Sequence, residues 1–209
     1  MAVLNVSPTR MELTKIKKQL EVAAKGHRLL KDKRDELMRQ FLSRVKETRE
    51  LRQQVEQAIA QANNGFALAS AVMQPKALMS ALLFPGQSTT IQITRKSIMG
   101  VDVPVFETQQ NETSDALPYG FAFTSGELDQ SIRLLSNVLP DLLALAQQEK
   151  TLQLLASEIE KTRRRVNALE HVMIPNYRDT VRYITMKLDE TERSNLTRLM
   201  KVKDMMAAK

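Results

Sequence analysis

Apolar residues recur along the first part of the chain at alternating steps of three and four. From Leu13 the steps reach Ile16, Leu20, Ala23, His27, Leu30, Arg34, Leu37, Phe41, Arg44, Thr48, Leu51, Val55, Ala58 and Ala62. Eleven of these fifteen are apolar, while the residues between them are mostly charged or amide-bearing. A stripe that narrow, held for seven heptads, predicts a coiled-coil seam rather than a helix lying on a broad core. Ser7-Pro8 and Thr9-x-x-Glu12 supply helix-start signals, and no proline follows until Pro75. At 1.5 Å per residue, some 55–60 helical residues reach about 80–90 Å, too long for one globular domain.

The last part of the chain answers the first. Thr124-Ser125-Gly126-Glu127 offers a second Thr-x-x-Glu start, followed by Leu128, Ile132, Leu135, Leu139, Leu142 and Ala146. The stripe continues through Leu152, Leu155, Ile159, Val166, Leu169 and Met173, then Val181, Ile184 and Leu188, and ends with Leu199 and Val202. Pro140 and Pro175 each remove a backbone donor and are expected to bend this helix without ending it. The spacing slips near Pro175, which predicts a stutter in the seam. Two such stripes in one chain bury each other most simply when the helices run antiparallel. The expected fold is therefore mainly α: a long antiparallel two-helix coiled coil of the N- and C-terminal arms, with a small middle region.

In that middle the period changes to two. Thr90-Ile91-Gln92-Ile93-Thr94 alternates, as does Val101-Asp102-Val103-Pro104-Val105 before Phe106, with Arg95–Gly100 between them as a turn. This predicts a β-hairpin over about 90–106, Pro104 confining its second strand to an edge. Residues 67–83 form a broken helix, restarted at Pro75 and stopped by Pro85-Gly86, and residues 111–120 form a loop. The expected divisions are 1–74 for the first helix, 75–123 for the middle and 124–209 for the second helix.

Charge sharpens this division. Residues 10–52 hold 14 Lys and Arg against 7 Asp and Glu, residues 53–149 hold 4 against 9, and residues 150–209 hold 13 against 8. Two basic arms flank a mildly acidic middle, and five of the nine aromatic residues fall between 84 and 123 within it. The chain has no cysteine, which excludes disulfides, thiolate metal sites and cysteine nucleophiles. No glycine-rich phosphate cradle is present. Neither His27 nor His171 has a ligand partner one helical turn away, so no metal site is expected and His27 is read as a seam residue. Catalytic, cofactor-binding and metal residues are all expected to be absent. No apolar run reaches the roughly 18 residues of a membrane span, and no signal segment opens the chain, so a cytoplasmic location is expected.

Dense basic clusters remain: Lys15, Lys17 and Lys18; Lys25, Arg28, Lys31, Lys33 and Arg34; Lys161, Arg163, Arg164 and Arg165. Phosphate neutralisation is one use for such charge, but the clusters are spread around the helices and lack an aromatic stacking platform. A basic nucleic-acid binder and a helical-hairpin scaffold or clamp are the two alternative classes.

Three blocks carry a resemblance. Asn5-Val6-Ser7-Pro8-Thr9-Arg10-Met11-Glu12-Leu13 with Gly26-His27-Arg28-Leu29-Leu30-Lys31-Asp32-Lys33-Arg34-Asp35-Glu36-Leu37 resembles the opening of the D subunits of the V-type (A/V-type) ATPases. Lys161-Thr162-Arg163-Arg164-Arg165-Val166-Asn167-Ala168-Leu169-Glu170, running on to Ile174-Pro175, is the second block, and Glu190–Arg193 with Arg198–Lys203 the third. The resemblance spans essentially the whole chain, the middle matching only in kind. It implies a non-catalytic central-stalk rotor component, an antiparallel coiled coil with a short β-hairpin, peripheral to the membrane as part of the complex. The implied partners are the catalytic A and non-catalytic B subunits of the surrounding hexamer, the small F subunit of the stalk, and a funnel-like subunit joining the membrane ring. It implies neither direct membrane insertion nor nucleic acid.

A shaft must stay stiff while offering different side chains to successive neighbours. A continuous seam supplies stiffness, and outward Lys and Arg supply exchangeable charged contacts. On that reasoning Lys31, Lys33, Arg34, Arg163, Arg164 and Arg165 are the candidate hexamer contacts, and Asn167 is the candidate register-setting polar residue near the seam.

Overall fold

The computed structural model describes residues 4–83, 89–110, 119–120 and 124–207. The expected stop at Pro85-Gly86 and residues 111–118 of the expected loop lie outside the described residues. Helix α1 (Arg10–Val72) is followed by the short α2 (Pro75–Leu82), strands β1 (Thr89–Ile98) and β2 (Val101–Gln110), and helix α3 (Gly126–Ala168). One π-turn (Leu169–Met173) then leads directly into α4 (Ile174–Ala207). The long N-terminal and C-terminal helices pack together, and the small antiparallel sheet lies between them in sequence. The chain forms two compact units, Met1–Glu36 with Ile159–Lys209, and Leu37–Glu158.

In the first unit, cross-helix partners run in opposite directions: Arg10 meets Glu192, and His27 meets Glu170. The second unit repeats the pattern, Arg52 meeting Glu149 and Gly65 lying against Ser131. All fifteen stepped positions from Leu13 to Ala62 are buried or half-buried, with Ile16, Ala23, Leu37, Thr48, Val55 and Ala62 fully so. Thr9 caps α1, its Oγ accepting the Glu12 N–H at 3.2 Å. Pro75 opens α2 as a first-turn proline, whose missing N–H would have no helical partner there.

The C-terminal seam departs from the apolar stripe. Leu135, Leu139, Ala146, Met173, Leu199 and Val202 are exposed, while Ser131, Val138, Thr151, Thr162 and Thr180 are buried. The partner helix, rather than apolarity alone, selects the buried face. Ser131 is buried because α1 presents Gly65 to it: a Cβ on Gly65 would lie 2.5 Å from Ser131 Oγ. The second start signal also fails. Thr124 Oγ donates to Gly120 C=O at 3.2 Å instead of capping α3, and the backbone N–H of Leu128 donates to Ser125 C=O.

The stutter has a definite form. Pro140 sits inside α3, which continues through it. Before Pro175, the Ile174 N–H donates to Leu169 C=O, a five-residue step, and the seam skips from half-buried Leu169 to buried Ile174. One extra residue is thereby accommodated without breaking the helix.

Strand pairing runs without a bulge from Thr89 opposite Gln110 to Ile98 opposite Val101. The segment 95–98, expected in the turn, is strand; the turn is only Met99-Gly100. Both turn residues have positive φ (51° and 82°), the type I′ geometry that matches the right-handed twist of a two-residue hairpin. The Phe106 N–H donates to the Gln147 side chain of α3 at 2.8 Å, so the Ile93–Phe106 pair points its backbone groups away from the ladder. Because orientation alternates along a strand, Pro104, two residues earlier, also faces outward and costs the ladder no bond.

Candidate interaction surfaces

The paired helices place the sequence-predicted basic residues at one level. His27 Nε2 stands 3.3 Å from Glu170 Oε2. One to two helical turns onward along α1 lie Lys31, Lys33 and Arg34; one to two turns back along α3 lie Arg165, Arg164 and Arg163. Antiparallel pairing thus gathers two clusters separated by some 130 residues in sequence into one belt, all within the first unit. Lys31, Arg163, Arg164 and Arg165 are exposed, and Lys33 and Arg34 are half-buried.

Local pairing differs within the belt. Arg34 donates to Asp35 Oδ1 from Nε at 2.9 Å and from Nη2 at 2.6 Å, and Arg164 is held by Glu160 of its own helix. Lys31, Arg163 and Arg165 make no ion pair among the described residues. Three consecutive arginines on a helix point about 100° apart, so they face different directions around the belt while Val166 beside them is buried. Asn167 is exposed, and the polar side chains buried along the paired helices are Thr48, Ser131, Thr151, Thr162 and Thr180.

Two further surfaces had little signal in the sequence. Beside the π-turn, an apolar groove of roughly 530 Å³ is lined by Val22, Ala23, Gly26, Leu169, Met173 and Tyr177, with Lys15 and Lys18 on its rim. From Asp189 to Ala207 every residue of α4 is exposed, including Leu196, Leu199, Met200, Met205 and Met206. The reason is local: α1 begins only at Arg10, which already meets Glu192. Nothing helical among the described residues faces the remainder of α4.

In the second unit a small core joins Ala69, Met73, Ala81 and Leu128, with Leu78, Tyr119 and Ile132 packed on it. Tyr119 OH donates to Asp129 Oδ1 at 2.7 Å; burial first, then this carboxylate, hold the phenol well above the usual tyrosine range. Among the described residues no group of His, Asp and Glu is arranged to hold a metal, and no helix is long and apolar enough to cross a membrane.

Comparison with known proteins decides the family. The family of ATP synthase D subunits matches residues 12–204. This chain belongs to that family. The V-type ATP synthase D subunit of Acetivibrio thermocellus is 59% identical over 208 residues, covering 99% of this chain and 94% of that protein. The protein of the same name from Clostridioides difficile is 56% identical over 210 residues, covering 100% of this chain and 95% of the relative. A third, from Clostridium botulinum, is 53% identical over 209 residues, covering 99% and 97%. These matches run through the middle region as well as the arms, so the hairpin and the core around Tyr119 lie within the shared sequence.

Proposed function

We propose that this chain is the non-catalytic central-stalk shaft of a rotary V-type ATPase, coupling nucleotide turnover in the A/B hexamer to ion movement through the membrane ring. The observation that carries this reading is the pairing of a full-length family match with a helix pair that bears an outward basic belt. Each unit has its own buried seam, with Ile16, Val166 and Ile184 in the first and Leu37, Val55 and Leu155 in the second, and close-packed side chains yield little to deformation, as a part that carries torque requires. Arg163, Arg165 and Lys31 point outward in different directions, so successive hexamer pairs meet equivalent charges as the shaft turns. Exposed charge pairs are each worth about 0.2–1 kcal/mol, enough to favour one angular state and little enough to be exchanged. The uncovered apolar end of α4 adds a non-directional contact that can slide within a surrounding collar. The small F subunit and the funnel-like subunit are the expected co-moving partners, the whole being peripheral to the membrane.

The test is reconstitution. A tagged chain should bring down an ATP-hydrolysing hexamer from native membranes. In that complex Arg163→Glu with Arg165→Glu should leave the isolated helix pair folded and lower ATP-driven rotation by about three- to tenfold, two reversals of exposed pairs. Unchanged rotation would remove the belt from the coupling mechanism, and failure to capture any ATPase component would remove the shaft reading itself.

A further inference from the structure

The hairpin has two unlike edges. The β2 edge is engaged by α3 through the Phe106 N–H to Gln147 bond, carries Pro104, and has Val101 and Val103 buried beside it. The β1 edge has none of these. Residues Thr90–Ser97 are exposed throughout, with Ile91 43% and Ile93 66% exposed. Because the Ile93–Phe106 pair points outward, the backbone N–H and C=O groups of Ile91, Ile93, Arg95 and Ser97 all face away from β2. Natural edge strands are ordinarily short, bulged, proline-bearing, charged or covered, and of these devices β1 has only charge, in Arg95 and Lys96. β1 is ten residues long, free of bulges and proline, and uncovered among the described residues.

We propose that β1 is a docking edge onto which an extended segment of a neighbouring subunit of the assembled ATPase adds as a third strand. Main-chain bonds to the four outward-facing residues would supply affinity, and alternate side chains would supply choice. Ile91, Ile93 and Arg95 lie on the same face of the strand. The complementary segment therefore carries apolar residues opposite the isoleucines and a carboxylate opposite Arg95. β1 holds Arg95 and Lys96 and no acidic residue, and neither cation has an ion pair among the described residues. The inference rests on membership of the complex and not on whether the helix pair rotates.

Amide hydrogen exchange resolved to single residues tests it, comparing the isolated chain with the assembled, co-purified ATPase. In the isolated chain Gln92, Thr94 and Lys96 are slow because their amides lie in the ladder, while Ile91, Ile93, Arg95 and Ser97 are fast. On assembly the fast set should slow by about tenfold or more, making protection continuous along β1. Ile93→Pro removes an outward donor without touching the ladder and should abolish the slowing at Ile91 and Arg95; Ile93→Thr, which keeps the amide, should retain most of it. Should Ile93→Pro disturb the hairpin, seen as fast Gln92 and Thr94 amides in the isolated chain, Arg95→Glu serves instead and should weaken the slowing. Four outcomes overturn the proposal: fast outward amides in the complex, slow ones in the dilute isolated chain (cover by its own residues), slowing that follows self-association, or stronger protection in Arg95→Glu. Co-purification of the hexamer in the same preparation separates a failed docking edge from a failed assembly.

Discussion

Gly65→Ala isolates how closely the two helices of the second unit approach. The new Cβ would stand 2.5 Å from Ser131 Oγ, against 3.4–4 Å for ordinary contact. Ser131 has no long side chain to swing aside: its hydroxyl donates to Glu127 C=O at 2.7 Å and the residue is 5% exposed. Either that bond is lost, at about 0.5–1.5 kcal/mol, or the helices move apart, at about 1–3 kcal/mol. Against this, replacing glycine by alanine inside a helix gains about 0.8–1 kcal/mol. With the cheaper route taken the two nearly cancel, and the net expectation lies within about 0.7 kcal/mol of zero. In a Ser131→Ala background the obstructing oxygen is gone, and the next atoms are Ser131 Cβ at 3.7 Å and Glu127 O at 4.0 Å. There the same substitution should stabilise by about 1 kcal/mol, because only the propensity gain remains. Urea unfolding of the four proteins, followed by helical circular dichroism, gives the coupling energy, expected at about 1 kcal/mol. A coupling below about 0.5 kcal/mol would refute the close approach, since independent sites add to within that amount. Gly26→Ala is the control: its Cβ meets nothing within 4 Å, so it should simply stabilise.

Other consequences can be measured separately. Tyr119→Phe should cost about 1 kcal/mol at neutral pH through the lost bond to Asp129. Since the fold raises this phenol's pKa, its contribution is intact below about pH 10 and declines above it, as the unfolded chain loses the proton first; wild-type and variant urea midpoints should therefore converge as the pH rises above about 10, and a constant gap would count against the bond. Met99→Asn should stabilise the hairpin by about 0.5–1 kcal/mol, relieving a methionine at φ 51° in the turn type that favours Asn-Gly, with slower exchange at Thr94 as the readout. Thr180→Val removes a hydroxyl that donates to Asn176 C=O at 2.6 Å and accepts the Leu4 N–H at 3.1 Å; it should cost about 1–3 kcal/mol and leave the residues before Arg10 more open to proteolysis. Replacing the hairpin with a short Gly-Ser linker should preserve the helix pair and change ATPase rate more than assembly; loss of assembly would make the hairpin structural.

The amino-acid sequence alone was enough for the first helix, its seam and the existence of the hairpin. A narrow stripe at three- and four-residue steps has only one face to bury, and every position from Leu13 to Ala62 that it marks is withdrawn from water. Pro75 and the two-residue period of 90–106 are likewise local signals. The second helix is different because it carries more apolar residues than one seam can take. Leu135 and Leu139 were as eligible as Val138, and Ser131 was less so, until Gly65 on the facing helix opened a space only a small side chain fits. Pro175 announced an irregularity, but its form, one π-turn that skips the seam from Leu169 to Ile174, depends on keeping Ile174 against its partner. The turn residues Met99 and Gly100 were hidden for a similar reason, since methionine is a poor signal for positive φ and the ladder imposes it. The basic candidates were visible as clusters, yet their meeting at one level follows from antiparallel register, which no single stretch encodes. Local periodicity determines which residues seek burial; only the facing surface, through shape and hydrogen bonding, decides which of them obtain it.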